Sequence, residues 1–304
     1  TLGNSVWMVA DDGKCFSSTD GGSNFIEATP AGTTPLAKIL FLTSQNGWIG
    51  GANGTLLRTT NAGVAWVPVL LGTTEKITSL GFADTQNGYL GGTNGVLMKT
   101  SDGGTTWTNI TTAGWTKDVT SIAVTGSTVY VTGIDAFCAK STNSGSSWTS
   151  LNFMTDTQSD VNGVFAKSAN DAVFVGGGGY VRVTNNGGTS FTWGRHSLHG
   201  TLNAVFFYDT LNGWACSEKN NVVLRTTDGG ASWSMPAGTT VNMNWVQKLS
   251  ASASVRGNTV CLNVNNKNIL YCALGTNVYA SYNRGENWTP IATMPSGGAK
   301  VNSF

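Results

Sequence analysis

The feature that most constrains this chain is an eight-residue motif that occurs seven times along its 304 residues. A clear copy is TSDGGTTW at 100–107. The Asp or Asn at the third position of the motif falls at Asp20, Asn61, Asp102, Asn143, Asn186, Asp228 and Asn283. The spacings are 41, 41, 41, 43, 42 and 55 residues. A period of about 40–45 residues is typical of folds built by repeating one supersecondary unit.

Each repeat predicts four short strands. A second aromatic series lies 12–14 residues before the Asp or Asn, in runs such as GWIGG and GYLGG: Trp7, Trp48, Tyr89, Tyr130, Phe174, Trp214 and Tyr271. An inner strand such as ITSLGF precedes this aromatic strand, a strand such as LLRT follows it, and an outer strand begins at the aromatic that closes the motif. Gly and Asn lie at the joints, as hairpins require. Because one sheet alone leaves both faces open, we expect the aromatics to pack between neighbouring units.

Four-stranded units at this spacing are the signature of β-propeller blades. The seven motifs therefore predict an all-β, seven-bladed propeller that forms a single domain over 1–304. The first unit begins at its second strand, in SVWMVADD, and the chain finishes with AKVNSF, which resembles AKILFL at 37–42. We predict that the C-terminal strand supplies the inner strand of the N-terminal blade and so protects edges that would otherwise stay open.

The motif resembles the Asp-box, or bacterial neuraminidase repeat. The longer unit, as in FLTSQNGWIGGANGTLLRTTNAGVAW, is similar to the photosystem II stability/assembly factor-like family over essentially the whole chain. This resemblance implies a non-enzymatic scaffold that binds a protein partner. Photosystem binding is not implied, because the family's Arg-rich patch has no clear counterpart among the six arginines. The last unit resembles the Asp-box repeats of sortilin-type and xyloglucanase-type propellers.

The residues of the box favour a structural role. An Asp or Asn side chain in a tight turn accepts backbone N–H bonds, Gly supplies positive φ, and the closing aromatic anchors the turn against the sheet. Asn replaces Asp in four of the seven copies. A turn tolerates that exchange, whereas a nucleophile or general base does not. We therefore assign no catalytic role to Asp102 or its counterparts.

Enzymatic interpretations find little support in the sequence. A sialidase would need an arginine triad, yet Arg58 and Arg225 hold equivalent repeat positions. A glycosidase needs two carboxyl groups about 5–9.5 Å apart. The acids outside the boxes that lie near predicted connections form no recognisable pair: Glu75, Asp118, Asp135, Asp156, Asp160 and Glu218. We expect a protein-binding propeller, with a glycan-binding or glycan-cleaving propeller as the alternative.

Composition limits the classes of partner that this chain could bind and indicates its cellular compartment. Only 11% of residues are charged and the net charge is +1, which gives no electrostatic footprint for nucleic acid. No apolar run is long enough for a spanning helix, so no membrane insertion is expected. No Cys/His cluster indicates a metal, and we expect no cofactor. Low charge and abundant Ser, Thr, Asn and Gly favour an extracytoplasmic protein. A component or decoration of a larger surface assembly is an alternative within the non-enzymatic interpretation.

Two of the five cysteines lie close together in VCLNVNNKNILYC. A two-residue turn at 266–267 would place Cys261 directly opposite Cys272 on an antiparallel pair. Such a pair forms either a cross-strand disulfide or two small buried hydrophobic contacts, and the sequence leaves both open. The other three, Cys15, Cys138 and Cys216, are interpreted as core residues.

The residues that the repeat does not explain are the candidates for a binding surface. They lie in predicted blade connections and in an insertion at about 236–258: Trp115, Lys117, Asp118, Trp193, Arg195, His196, His199, Trp245 and Arg256. Connections on a rigid scaffold are where binding residues concentrate, and aromatic anchors beside Arg are typical of interfaces. Each tryptophan could instead pack under its own loop, and the histidines could simply be solvated. The expected site is the face on which the central funnel opens.

Overall fold

The computed structural model describes residues 4–152, 159–196, 200–217, 222–235, 257–262, 269–274, 277–283, 288–293 and 301–303. Over these ranges the secondary structure consists of short strands. Two 3-10 turns occur at Thr93–Gly95 and Gly177–Gly179, and the described residues contain no α-helix. Glycine and asparagine residues with positive φ lie in the turns between strands, where the repeat predicts hairpins.

The strands of the first half of the chain are β1 (Val6–Ala10), β2 (Cys15–Ser18), β3 (Ile26–Ala28), β4 (Leu36–Phe41), β5 (Gly47–Gly51), β6 (Leu56–Thr59), β7 (Val67–Pro68), β8 (Ile77–Phe82), β9 (Gly88–Gly92), β10 (Leu97–Thr100), β11 (Thr108–Asn109), β12 (Val119–Thr125), β13 (Thr128–Gly133), β14 (Cys138–Ser141) and β15 (Thr149–Ser150). Those of the second half are β16 (Val161–Ala166), β17 (Ala172–Gly176), β18 (Val181–Thr184), β19 (Thr192–Trp193), β20 (Leu202–Phe207), β21 (Gly213–Ser217), β22 (Val222–Thr226), β23 (Gly257–Leu262), β24 (Leu270–Leu274), β25 (Asn277–Ser281), β26 (Thr289–Thr293) and β27 (Val301–Ser303).

These strands form seven antiparallel sheets, which are the blades. Blade 1 has the order β27-β1-β2-β3, and blades 2 to 5 are β4–β7, β8–β11, β12–β15 and β16–β19. Blade 6 contains β20–β22 within the described residues, and blade 7 is β23–β26. The inner strands contact one another in sequence, from β4 through β8, β12, β16, β20 and β23 to β27, which returns to β4. The seven-bladed propeller and its closure by a C-terminal inner strand are confirmed.

The core is divided among the interfaces between blades. Seven hydrophobic clusters each join residues of two neighbouring blades, and the aromatic series predicted to pack there is buried in every blade. For example, Trp48 of blade 2 packs on Phe82 of blade 3 with ring centroids 4.4 Å apart. Because each sheet covers one face of the next, the ring buries surfaces that an isolated blade would expose to water.

Polar side chains also tie the inner strands together. The hydroxyl of Thr78 donates to the carbonyl of Val119, and the hydroxyl of Thr120 donates to the carbonyl of Val161. At the equivalent position of the next blade, Asn162 Nδ2 donates to Leu202 O at 3.0 Å. Each bond links the second residue of one inner strand to the first residue of the next, so the repeat also encodes contacts around the ring.

The predicted opposition of Cys261 and Cys272 is wrong by one residue. Cys261 pairs with Tyr271, and Cys272 pairs with Val260. The ladder ends at Leu262 opposite Leu270, so seven residues separate the strands, where a two-residue turn was expected. Cys272 is buried, as are Cys15, Cys138 and Cys216, and the last three are therefore the core residues that the sequence predicts.

Candidate functional site

The Asp-box of blade 3 is a closed, hydrogen-bonded turn. Thr100 Oγ1 donates to Asp102 Oδ1 at 2.8 Å and accepts the N–H of Gly104 at 2.9 Å. Asp102 also accepts the hydroxyl of Thr106 at 2.6 Å and its N–H at 2.9 Å. The hydroxyl of Thr106, then its N–H and the hydroxyl of Thr100, lower the pKa of Asp102 to about 2. The carboxylate is thus engaged by its own turn, as the sequence interpretation requires.

The copies that contain Asn have the same geometry. Asn143 Oδ1 accepts the N–H of Ser147 at 2.9 Å, and Asn143 Nδ2 donates to Ser147 Oγ at 2.8 Å. Asn186 makes the matching pair of bonds to Ser190, at 2.9 and 2.7 Å. The amide replaces the carboxylate without loss of the turn, because one oxygen is enough to accept the backbone N–H.

Several boxes are also held by hydrogen bonds from the blade that precedes them. Trp7 Nε1 donates to Ala62 O at 3.0 Å, and Tyr271 Oη donates to Gly21 O at 3.1 Å across the ring closure. In blades 3 and 4, lysines take this role: Lys99 Nζ donates to Ser144 O at 3.0 Å, and Lys140 Nζ donates to Gly187 O at 3.1 Å. The boxes therefore act as joints between neighbouring blades.

Acids outside the boxes bridge the loops at the opposite end of the blades. Asp118 Oδ1 accepts the N–H of Asn94 at 2.9 Å, and Asp160 Oδ1 accepts the N–H of Asp135 at 3.1 Å. Glu75 accepts the hydroxyl of Thr93 and the Nδ2 of Asn94, and these bonds lower the pKa of Glu75. Each of these acids lies in the connection that enters the next inner strand. Asp118 and Asp160 bond a loop of the preceding blade and so fix two blades together, whereas Glu75 bonds a loop of the blade that its own connection enters.

The predicted residues of the connection from blade 3 to blade 4 lie together. Trp115 is half-buried and packs edge-on against Phe137 and Trp148, with centroids 4.8 and 5.4 Å away. Lys117 forms an ion pair with Asp135. Of the two alternatives for an isolated loop tryptophan, Trp115 thus adopts the packed one, and its neighbours Lys117 and Asp118 support the same loops.

The predicted residues near 193–196 form a separate group on blade 5. Trp193 lies on the outermost strand, β19, with 62% of its surface exposed, and covers the guanidinium of Arg182 at 2.9 Å from the ring centroid. The backbone of Arg195 joins the next box, since its N–H donates to Ala231 O at 2.9 Å and its O accepts the N–H of Trp233 at 2.8 Å. His196 follows and is half-buried. His199, Trp245 and Arg256 lie outside the described residues, as does most of the insertion at 236–258.

A surface that the sequence interpretation missed lies on the outer side of blades 2 and 3. Two adjoining cavities of about 610 and 550 Å³ share Val69 and Leu70. The smaller, here called the blade 2–3 groove, lies between the outer strand of blade 2 and the box of blade 3, and it is lined by Arg58, Thr60, Asn61, Ala65, Val67, Pro68, Val69, Leu70, Thr105, Thr106 and Trp107. The signal was present in TTNAGVAW, the copy of the motif in which Val64 and Ala65 replace polar residues.

Neither a metal-binding cluster nor a membrane-spanning helix occurs in the described part of the chain. No group of three or more His, Cys, Asp and Glu side chains is placed there to hold a metal ion. In the same residues, no helix has the length and apolar character to cross a membrane.

The comparisons with known proteins agree with the architecture. Residues 59–201 match the family model described as photosynthesis system II assembly factor YCF48. The fold is similar to that of YCF48 bound to D1 peptide, at a TM-score of 0.63 and 18% identity over 85% of this chain and 82% of that one. It is also similar to YCF48 from Cyanidioschyzon merolae, at a TM-score of 0.61 and 16% identity over 84% of each chain. The predicted resemblance to this family is confirmed.

A second group of similar structures contains enzymes. The chain is similar to the GH74 xyloglucanase from Xanthomonas campestris, at a TM-score of 0.72 and 12% identity over 100% of this chain and 53% of the enzyme. This chain therefore spans about half the length of that enzyme, and the likeness shows the fold alone. No curated protein matches the sequence.

Proposed function

We propose that this propeller is a non-enzymatic protein-binding module that acts as an extracytoplasmic assembly scaffold. The observation that carries the proposal is the apolar outer surface of blade 2. Val67 and Leu70 are 64% and 95% exposed, and both line the blade 2–3 groove. Single exposed apolar residues are ordinary, but a group of them along one groove is typical of a surface that binds another protein.

The acids of the loop end support a binding function over hydrolysis. Asp118 and Asp160 each accept a backbone N–H of a neighbouring loop, and Asp135 forms an ion pair with Lys117. These contacts position loops, whereas a glycosidase uses one free acid and one free base on either side of a sugar. The described carboxyl groups at this end thus have a structural explanation that needs no substrate.

The family match supports a protein partner. Residues 59–201 match the YCF48 assembly factor model, and a structurally similar YCF48 is described as bound to D1 peptide. A propeller of the same fold that is described as bound to a peptide is a precedent for the proposal.

Site-specific crosslinking in extracts of the native source tests the function. A photo-crosslinking amino acid placed at position 70 should capture one discrete protein that mass spectrometry identifies. The matched control places the same amino acid at position 211, because Leu211 is an exposed apolar residue of blade 6 with 54% exposure. Equal capture at both positions, or none at either, would contradict binding through blade 2.

Two further measurements address the remaining parts of the proposal. Release of reducing ends from xyloglucan and from a panel of other polysaccharides should be absent, and turnover of any of them would support the glycan-cleaving alternative. Fractionation of source cells followed by immunodetection should place the protein outside the cytoplasm. A purely cytoplasmic signal would refute the localisation while leaving the binding function intact.

A further inference from the structure

The blade 2–3 groove contains one charged side chain among the residues that line it, Arg58. Arg58 is half-buried, and its Nε is shielded from solvent with no hydrogen-bond partner in the described structure. No ion pair within the described part of the chain involves it. A shielded donor without an acceptor is costly, since it loses water and gains no bond in return.

The equivalent positions of the next two blades show what Arg58 lacks. Arg58 pairs with Trp48 across the sheet, as Lys99 pairs with Tyr89 and Lys140 pairs with Tyr130. Both lysines donate to a carbonyl in the following box, at 3.0 and 3.1 Å. Arg58 makes no such bond to the box of blade 3, so its charge faces the groove without a role in joining the blades.

A second donor in the groove is also left over. In the boxes of blades 4 and 5, Asn Nδ2 donates to the hydroxyl of the serine four residues later. The corresponding residue of blade 2 is Ala65, which has no hydroxyl. Asn61 Oδ1 still accepts the N–H of Ala65 at 2.9 Å, but its Nδ2 has no partner among the described residues. Arg58 and Asn61 thus offer two unused donors to one groove.

The backbone beside the groove limits how a partner can bind there. The outer strand β7 contains only two residues, and the second of them is Pro68. Proline has no N–H, so this edge is poorly suited to pairing with an added strand. This edge therefore favours contacts made by side chains over backbone pairing, and Val67 and Leu70 are exposed apolar side chains beside it. The two cavities meet at Val69 and Leu70, which leaves a path for a chain that continues past Leu70.

We infer that the blade 2–3 groove binds an extended internal segment of a partner protein that carries an Asp or Glu side chain next to apolar residues. The carboxylate accepts hydrogen bonds from Arg58 and Asn61, and the apolar side chains cover Val67 and Leu70. The lining residues include no acid to compete for the guanidinium, so the groove is complementary to an anionic group. This inference rests on the proposed protein-binding function and specifies the chemistry of its partner.

The test uses phage-displayed random peptides of about twelve residues, selected on the immobilised full chain. Fusion to the phage coat leaves no free C-terminal carboxylate, so only side-chain acids can supply the anion. Enriched peptides should place Asp or Glu beside Leu, Ile, Val or Phe. Selection of peptides without an acid, or no enrichment, would overturn the inference.

The best enriched peptide is then synthesised with an amidated C-terminus and a fluorophore, and its affinity is measured by anisotropy. Arg58→Gln should weaken binding by about tenfold to a hundredfold, the range expected for a charge-assisted hydrogen bond. Exchange of the peptide's Glu for Gln should have a similar effect, and the two changes together should cost little more than either alone. Independent, additive losses would overturn the pairing of the two groups.

Matched variants separate the groove from general effects on the fold. Arg225→Gln changes the equivalent position of blade 6, and Leu211→Ser changes an exposed apolar residue of that blade. Both should leave the peptide affinity within about twofold of the unmodified protein, because substitutions away from a contact usually change the free energy by no more than about 0.5 kcal/mol. Leu70→Ser should weaken binding clearly. Ala65→Ser, which supplies the hydroxyl that Asn61 lacks, should weaken it by a few-fold. Equal effects in blades 2 and 6 would refute the site.

The outcomes distinguish this inference from the function on which it rests. If position 70 crosslinks a partner in extracts but Arg58→Gln leaves that capture unchanged, the acidic segment is refuted and the binding function stands. If neither a partner nor an enriched peptide is found, both fail. If size-exclusion chromatography shows a dimer that Arg58→Gln dissociates, the occupant is a second copy of this chain, and the peptide inference is overturned.

Discussion

The boxes of blades 2 and 3 share an inner half and differ in their outer half. In both, the threonine hydroxyl bonds the Asn or Asp oxygen, at 2.9 Å from Thr59 and 2.8 Å from Thr100. Both also bond a glycine N–H to that hydroxyl, at 3.0 and 2.9 Å. Thr106 adds a hydroxyl bond on the outer side of blade 3, whereas Ala65 adds none in blade 2. The inner half maintains the fold, and the outer half is open to variation.

A second difference concerns the backbone. The residue after the Asx is Gly103 in blade 3, with a φ of 67°, and Ala62 in blade 2, with a φ of 61°. Left-handed backbone suits glycine and strains alanine. Blade 2 therefore retains the turn geometry with a less favourable sequence. The same copy of the motif carries the exposed Val64 and the unused donor of Asn61, and Arg58 directly precedes it. The blade 2 motif thus differs from the other copies at the place where it lines the blade 2–3 groove.

The largest expected effect concerns the aromatics that hold the two boxes from the preceding blade. Trp7→Ala and Trp48→Ala should each destabilise the protein by about 3–5 kcal/mol, as large-to-small core changes do. Trp7→Phe should cost about 1 kcal/mol more than Trp48→Phe, because only Trp7 donates to a box carbonyl, Ala62 O at 3.0 Å. Chemical denaturation measures these differences. Equal costs for the two Phe variants would show that the bond to the blade 2 box contributes nothing.

The next effect tests the shared inner half. Thr59→Val and Thr100→Val should each lower stability by about 1–3 kcal/mol, because each leaves a glycine N–H without its acceptor, half-buried at Gly63 and buried at Gly104. The exposed Thr105 is the control, since its hydroxyl bonds only Asp102 O at 3.1 Å, and Thr105→Val should cost at most about 0.5 kcal/mol. If Thr59→Val is as mild as the control, the two boxes do not share a structural core.

A smaller effect, opposite in sign between the boxes, tests the strained backbone. Ala62→Gly should stabilise the protein by about 1 kcal/mol by relieving the left-handed alanine. Gly103→Ala should destabilise it by at least that amount, since a Cβ there would also lie 2.9 Å from Thr85 O. Ala65→Gly has no positive φ to relieve and should give no gain. Thermal melts compare the stability of the three variants. A loss of stability in Ala62→Gly would show that the left-handed backbone at Ala62 does not strain the blade 2 box.

The smallest effect is a difference in acid sensitivity. The pKa of Asp102 is lowered to about 2, so its contribution to stability is complete above the usual aspartate pKa near 4 and is lost as the pH falls from about 4 towards 2. Asp102→Asn should flatten melting temperature against pH in that window. Asn61→Asp should steepen it slightly, because Ala65 offers an N–H but no hydroxyl. If melting temperature depends on pH in the same way in both variants as in the unmodified protein, the box carboxylate does not contribute to acid unfolding.

The binding residues were less predictable than the fold. Trp115 is distinctive in sequence because it belongs to no repeat series, yet Phe137 and Trp148 pack against it. Arg58 was set aside as a repeat residue, although its donor has no acceptor in the described structure.

The cysteine register was missed for a related reason. A local turn was assumed, and the pairing of Cys261 with Tyr271 depends on how the whole connection closes.

The sequence by itself determined the number of blades, the strand order within each and the closing of the ring by β27. These follow from spacing and from local preferences, because Asx turns, glycine joints and alternating strands are encoded within a few residues. Only the tertiary structure decided which side chains are left over. Whether Arg58 or Asn61 finds a partner depends on the neighbouring blade and box around it, and those contacts join residues that the chain brings together only when the ring forms.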